Sequence, residues 1–526
     1  MKRLLINITA LFLLAGTFSS CKKKVDADYL NPEKTAAGSL GKLLSGMYLN
    51  KRIHPSYWDY YTFIMPTLGL YTQTVATAPS TEMYIPSLTY SEGRWTDFYA
   101  GSSGTDYNYN GPGIMSNYRE MQTTYAALSA SEQAANLVFL KCAQVVLYDQ
   151  TAQMIDLWGD IPFSQAGSQN TATRDISNSP FQDAASVYDT LITGLKDLNT
   201  YFDTATLSTV TTKELQTQDI VLGGDLSKWQ RYANSLRLRL LMRISNYDEA
   251  TAKTEVTTML NNPSIYPLIS DNTYNVELQE SPSGLKSDLY DVFKDFSFGP
   301  AYLMDTLMVA NDDPRTAVYW DTNASGEYKG FPYNGTTADY EGGGYATYDS
   351  ATFYYNYNLP GVMFTASEVS FLKAEADERW GIGTAQTDYE TGVTQSVDFY
   401  YGINQSRILR SGGGTWSVLT TPSSATVTSY LEKPAIAYTG TATEKLAKIY
   451  TQKWIHFFIL QAGQSWAELR RTGYPVLQYA AASASGATTP PVRLLYPSTE
   501  QLYNSANYSA VSAKDTRDTK IFWDVN

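Results

Sequence analysis

Thr365-Ala-Ser-Glu-Val-Ser-Phe-Leu-Lys-Ala-Glu-Ala376 opens on a hydroxyl residue and carries an acid three positions later, at Glu368. In that spacing the hydroxyl accepts from the third amide of a helix while the acid bonds back to the cap amide, satisfying two orphan donors together. Val369, Leu372, Ala376 and Trp380 recur at helical intervals, and Phe364 stands where it can staple onto Val369. The spacing predicts a helix over 365–380. A second start, Thr387 with Glu390, predicts a neighbour over 387–401 through Tyr389, Val393 and Val397. Two helices joined by so short a turn are expected to pack side by side.

The same signature recurs outward from this pair. Ser129 with Glu132, Ser179 with Gln182 (Pro180 at the first helical position) and Thr441 with Glu444 each precede an apolar-periodic run. Further helices are read over 227–245, 248–261 and 464–472, the last stopped by Gly473 and Pro475. Close helix pairs without a strict 34-residue consensus indicate an all-α, tetratricopeptide-like or other helical-repeat scaffold. Residues 55–118 and 273–360 differ: they are dense in Tyr, Gly, Asn, Ser and Pro and show few sustained helical periods. Long irregular connections of this kind are often functional, which makes them the expected recognition segments.

Composition restricts the chemistry. A 526-residue chain that is 43% hydrophobic can bury a large core without staples. Two His and two Cys leave no His-rich zinc site, and neither His54 nor His456 lies in an H-E-x-x-H pattern. A net charge of −13 argues against phosphate backbones as ligands. No G-x-S-x-G elbow, P-loop or dinucleotide fingerprint appears, so no cofactor is expected. Asp106-Tyr-Asn-Tyr-Asn-Gly111 matches the first half of a calcium loop, but its twelfth position is Asn117 rather than a bidentate Glu, and it reads as an Asn/Gly turn. Arg239 and Arg243, four apart, are expected to pair with acids; Glu368 reads as a cap and Glu375 as a buried or interhelical partner. What remains to be explained is the excess of 42 Tyr and 10 Trp.

The N-terminus carries Lys2 and Arg3, an apolar core over 4–14 and small residues leading to Cys21, which is the pattern of a secretory signal over 1–20. Phe18-Ser-Ser-Cys21 resembles a relaxed bacterial lipobox, so Cys21 is the expected lipidation site. Residues 21–40 read as a polar tether and 41–526 as a single folded unit. Cys142, inside an apolar run, reads as a buried core thiol.

Several blocks converge on one family. Asp156-Leu-Trp-Gly-Asp-Ile-Pro-Phe-Ser164, Trp229-Gln-Arg-Tyr-Ala-Asn-Ser-Leu-Arg-Leu-Arg-Leu-Leu-Met-Arg-Ile-Ser245, Asn311-Asp-Asp-Pro-Arg315, the 365–376 stretch, Gln464-Ser-Trp-Ala-Glu-Leu-Arg-Arg-Thr-Gly-Tyr-Pro475 and Val492-Arg-Leu-Leu-Tyr-Pro497 stand in order. Together they resemble the SusD/RagB outer-membrane nutrient-binding lipoproteins, in particular the SusD-like second subfamily. The resemblance implies helix pairs supporting an irregular binding face. It also implies a surface lipoprotein of the outer membrane that binds a nutrient, chiefly oligosaccharide, and delivers it, as a lid, to a SusC-like TonB-dependent barrel. On that reading the protein is not an enzyme; the rivals are a lipid-anchored glycan hydrolase and a helical-repeat adaptor for membrane proteins. A sugar ring stacks its C–H face on aromatic rings, and Trp58, Trp95, Trp320 and Tyr333 are the expected ligand-binding residues.

Overall fold

The computed structural model describes residues 39–525 except 81, 103–110, 169–177, 281–283, 412–415 and 481–486. The signal segment, Cys21, the tether up to residue 38 and most of the calcium-like loop lie outside the described residues.

Helix pairs make the scaffold, as their caps foretell. Ser129 and Glu132 form a complete capping box at the head of the 29-residue Ala130–Trp158 helix, and Thr441 with Glu444 does the same for Ala442–Phe457. Ala366–Trp380 lies beside Ala385–Gln405, Ala184–Thr204 beside Leu226–Arg243, and Ala442–Phe457 beside Ala462–Thr472. The first described helix, Leu40–Tyr48, is capped by Ser39 inside the stretch read as tether. Where Ala130–Trp158 meets Ala184–Thr204, Gly194 lets the backbone approach closely: a Cβ there would lie 2.5 Å from the Tyr148 ring.

Two predicted starts are displaced. The helix expected from Ser179 begins at Ala184, capped by Asp183, whose carboxylate accepts the Ser186 amide at 3.0 Å; Phe181–Gln182 instead pair with Ile161–Pro162 as a short antiparallel ribbon. Thr387 lies within the helix that begins at Ala385, and Glu390 takes the Gln386 amide at 2.7 Å one turn away rather than returning to a cap. At Thr365 the hydroxyl caps the Glu368 amide as expected, but the Glu368 carboxylate is drawn off to a buried arginine.

The two segments read as irregular part company. Residues 55–118 are largely helical: Tyr57–Asp59 runs into a wide π-type helix, Tyr60–Gly69, followed by Leu88–Tyr99 and Ile114–Ala126. Pro66 within the wide helix breaks the 3.6-residue period that the sequence reading relied on. Residues 273–360 hold short helices and the two-residue ribbon Trp320–Asp321 with Thr347–Tyr348; Val276–Leu278 pairs with Gly361–Phe364.

A chain of buried charge ties the helices together. Arg239 grips Glu368 (2.5 and 2.6 Å) and Asp149 (3.0 Å), joining three helices. Arg243 reaches Asp156 at 3.2 Å and Glu468 at 3.1 Å. Arg471 contacts Glu375 at 2.7 Å and Glu468 at 2.6 Å, and Lys453 contacts Glu468 at 2.5 Å. Burial alone would raise the Glu375 carboxyl, but Arg471 and Lys453 hold it below its ordinary value. The two arginines are thus paired as read, and Glu375 is the interhelical partner expected of it. Glu368 is an ion-pair residue more than a cap.

Beneath the 298–353 segment lies an aromatic core. Phe458, at φ 44° in the turn between the last helix pair, is fully buried and stacks on Tyr319 with centroids 4.6 Å apart. Trp320, Tyr348 and Phe353 close around it. Cys142 is buried and free, as its apolar surroundings predict, and burial pushes its thiol pKa up.

Candidate functional site

Of the four aromatic residues nominated from sequence, the structure presents two and buries two. Trp95, only 4% exposed, stands edge-on to Trp158 and Tyr496. Trp320, 1% exposed, donates its indole N–H to Met308 Sδ and lies against Tyr348 and Phe458. Both are core residues and cannot offer a ring face to a ligand; helix packing in one case and the Trp320–Tyr348 ribbon in the other turn them inward. Trp58 is 38% and Tyr333 44% exposed.

Tyr333 stands on a groove of about 290 Å³ walled by Tyr302, Asp305, Pro332, Asn334, Val476 and Gln478. A recess of about 40 Å³, lined by Met83, Tyr84 and Phe331, shares Gln73, Ala301, Tyr302, Pro332 and Tyr333 with it. The walls come from three places in the chain. Gln73 takes a left-handed backbone (φ 51°) where the helical run from Tyr57 ends, and its side-chain amide donates to the Gln478 carbonyl, joining two walls. Tyr84 is fixed edge-on by Tyr479 at 5.7 Å. Asp305 accepts the Gly330 amide at 2.7 Å, and burial raises its carboxyl above the ordinary range against that hydrogen bond and Lys329. Aromatic rings beside amide and carboxyl groups suit a ligand with an apolar face and a hydroxyl rim.

Trp58 belongs to a neighbouring platform. It meets Tyr90 edge-on at 6.1 Å, while Tyr57 stacks on Tyr61 at 5.3 Å and Tyr61 packs on Phe296 at 6.0 Å. Phe296 is four residues from Pro300 at the recess, so at most about 14 Å of extended chain separates them. Groove and platform therefore lie close together.

A third aromatic group continues beyond the short Tyr290–Asp295 helix. Tyr355 stacks on Trp416 at 4.6 Å, Tyr290 touches Tyr354 and Tyr355, and the Arg410 guanidinium lies 4.4 Å from the Tyr290 ring centre. Sequence reasoning missed Tyr302, Tyr90, Tyr61 and Trp416. Trp416 falls outside both tyrosine-rich segments, and the others are single members of a crowd of tyrosines with nothing local to mark them as exposed.

Among the described residues no cluster of three or more His, Cys, Asp or Glu could hold a metal, and the groove has one carboxylic acid, Asp305, where paired-carboxylate glycoside hydrolysis uses two. Two further shifted groups lie inside the fold. Asp349, pushed up to about 7 by burial and by its neighbour Asp321, caps the Thr352 amide at 2.7 Å inside the fold. His456, bonded to Thr365 and Ser396, is lowered to about 3 by burial and Arg315 and stays neutral.

Fold and face together define a helix-pair scaffold presenting aromatic side chains on an irregular surface. A family profile described as "SusD-like_2: Starch-binding associating with outer membrane" matches residues 72–497, and the chain belongs to this SusD-like family. A solved structure titled chitin-binding protein superposes with a TM-score of 0.73 at 22% identity, covering 93% of this chain and 100% of that one. A chitin-binding SusD homologue from Flavobacterium johnsoniae gives 0.71 at 22% identity over 93% and 99%. A SusD homologue from Bacteroides vulgatus gives 0.69 at 21% identity over 93% and 97%. These likenesses establish the fold. No curated protein matches the sequence. The family is associated with the outer membrane, and no described helix is long and apolar enough to cross one.

Proposed function

We propose that this protein captures an oligosaccharide on the groove around Tyr333 and Tyr302 and hands it to a SusC-like TonB-dependent barrel, over which it sits as a lid, without chemically altering the ligand. The observation that carries this reading is the groove itself: two tyrosines, one 44% exposed, converge with Gln73, Asp305, Asn334 and Gln478 in a family of starch-binding description. Trp58 extends the same surface. Chitin binding by structural relatives makes β-linked N-acetylglucosamine oligomers, alongside starch fragments, the first ligands to try. Attachment at the outer membrane through a lipidated Cys21, a tether ending before the Ser39 cap and one folded unit from there onward complete the proposal.

Calorimetric titration against chitin, starch and mixed-glycan oligomers tests it. Binding by at least one oligomer, weakened about 10-fold in Tyr333→Ala and without product formation, is the expected result. Ligand turnover, or tight binding indifferent to Tyr333, would sink it. Co-purification of the lipidated protein with a large β-barrel tests the partner.

A further inference from the structure

A cavity of about 60 Å³ lies between Arg52, Arg94 and the first turn of the Ala462–Thr472 helix. Arg52 is buried. It donates from Nε to Gln150 at 2.9 Å and from Nη1 to the Arg94 carbonyl at 3.3 Å, and forms no ion pair with a described carboxylate. Its Nη2 has no hydrogen-bond partner among the described residues, and neither has Nε of Arg94. Arg94 and Lys51 are already paired, with Asp59 at 2.9 Å and Asp97 at 3.1 Å. Three buried cations meet two carboxylates here, and the nearby Asp149 carboxylate, which shares Arg239 with Glu368, acts on Arg52 through space without bonding to it.

The opposite wall adds donors and partial positive charge. No side chain caps the Ala462–Thr472 helix, so the amides of Ala462, Gly463 and Gln464 bring the positive end of the helix dipole to the same cavity. A buried guanidinium without a counter-charge is costly, and helix N-termini with convergent N–H donors take up anions. One water needs about 10–15 Å³, so the space exceeds a single water.

We propose that this cavity is a resident binding site for a small monovalent inorganic anion of the halide class, held by Arg52 Nη2, Arg94 Nε and the first amides of the Ala462–Thr472 helix. Asp59 also lines the cavity, and its carboxylate repels a doubly charged phosphate or sulfate more than a monoanion. The bound ion joins the 51–94 region to a helix nearly four hundred residues later, so its role is to lock the scaffold. Burial and the neighbouring Arg94 charge lower the Arg52 pKa, and an anion would oppose both influences.

Bromide is the probe. Crystals of the full chain soaked in sodium bromide should show an anomalous peak within hydrogen-bond reach of Arg52 Nη2. In solution, exchanging gluconate for bromide at constant ionic strength should raise the unfolding midpoint saturably, by a few degrees, and Arg52→Gln should abolish the rise. Should that variant fail to fold, Arg52→Lys carries the test, with an expected weakening of the bromide response of about 10-fold through loss of the forked donor geometry. Ordered water in place of the peak with a midpoint that follows ionic strength alone, or a variant with the full wild-type response, overturns the proposal.

Discussion

The Ala366–Trp380 helix and the 298–345 segment use their conspicuous residues in opposite ways. In the helix, Glu368 and Glu375 are charged groups turned inward, each answered by an arginine from another helix. In the segment, Trp320 is sealed against Phe458 while Tyr333, thirteen positions later, stands open beside a groove. A buried charge must have its partner, so its presence in a helical run already implies a second residue elsewhere. An aromatic ring is equally at home in a core or on a surface, so its identity implies neither.

That contrast can be broken in several places. Arg239→Met should cost about 3–5 kcal/mol in urea unfolding, because Asp149 and Glu368 stay buried without their counter-ion; an unchanged midpoint would mean the charge chain is incidental. Trp320→Ala should cost a similar ~3–5 kcal/mol through the cavity it leaves under the face. Its expected mark is lowered stability, and a protein of wild-type stability that has lost only glycan affinity would return Trp320 to the binding surface. Tyr333→Ala reverses the pattern: stability within about 0.5 kcal/mol of wild type, but glycan affinity down about 10-fold, or about 1.4 kcal/mol. Equal losses in both measurements would erase the distinction.

The remaining effect concerns pH. Asp349 titrates near 7 in the folded protein, above its unfolded value, because burial and Asp321 oppose its ionisation. The folded state then holds a proton that the unfolded state has released, and stability falls as pH rises from about 4 to about 7. Asp349→Asn, which keeps an acceptor for the Thr352 amide, should flatten that fall. Glu375 acts in the other sense: its carboxyl is held below the ordinary value, so its contribution is complete above about pH 4.5 and is lost as pH drops through the folded pKa. Denaturation midpoints measured from pH 3 to 8 on wild type and Asp349→Asn check both limbs.

The scaffold was legible because its signals are local. Ser129 with Glu132 and Thr441 with Glu444 place their caps within four residues of chain, and both boxes form. Legibility failed where distant parts compete for the same group. Gln182 joins a ribbon instead of a cap, and Glu368 leaves its box for Arg239. It failed too where Pro66 and wide helical turns disguise the period of 60–69. Of the four aromatic residues nominated for binding, the sequence could not separate the exposed Trp58 and Tyr333 from the buried Trp95 and Trp320. Only contacts such as Trp95 against Tyr496, four hundred residues away, decide that difference.

The Phe458 turn has a consequence for recognition. Its ring, held by a left-handed backbone and stacked on Tyr319, couples the last helix pair to the aromatic core under the 298–353 segment. A face mounted on so firm a backing is preorganised: its side chains lose little further freedom when a flexible sugar chain settles on them. Ordering entropy is one of the main costs of association. On the binding mode proposed above, much of it is met during folding, and a shallow groove would need only a few modest contacts to hold its ligand.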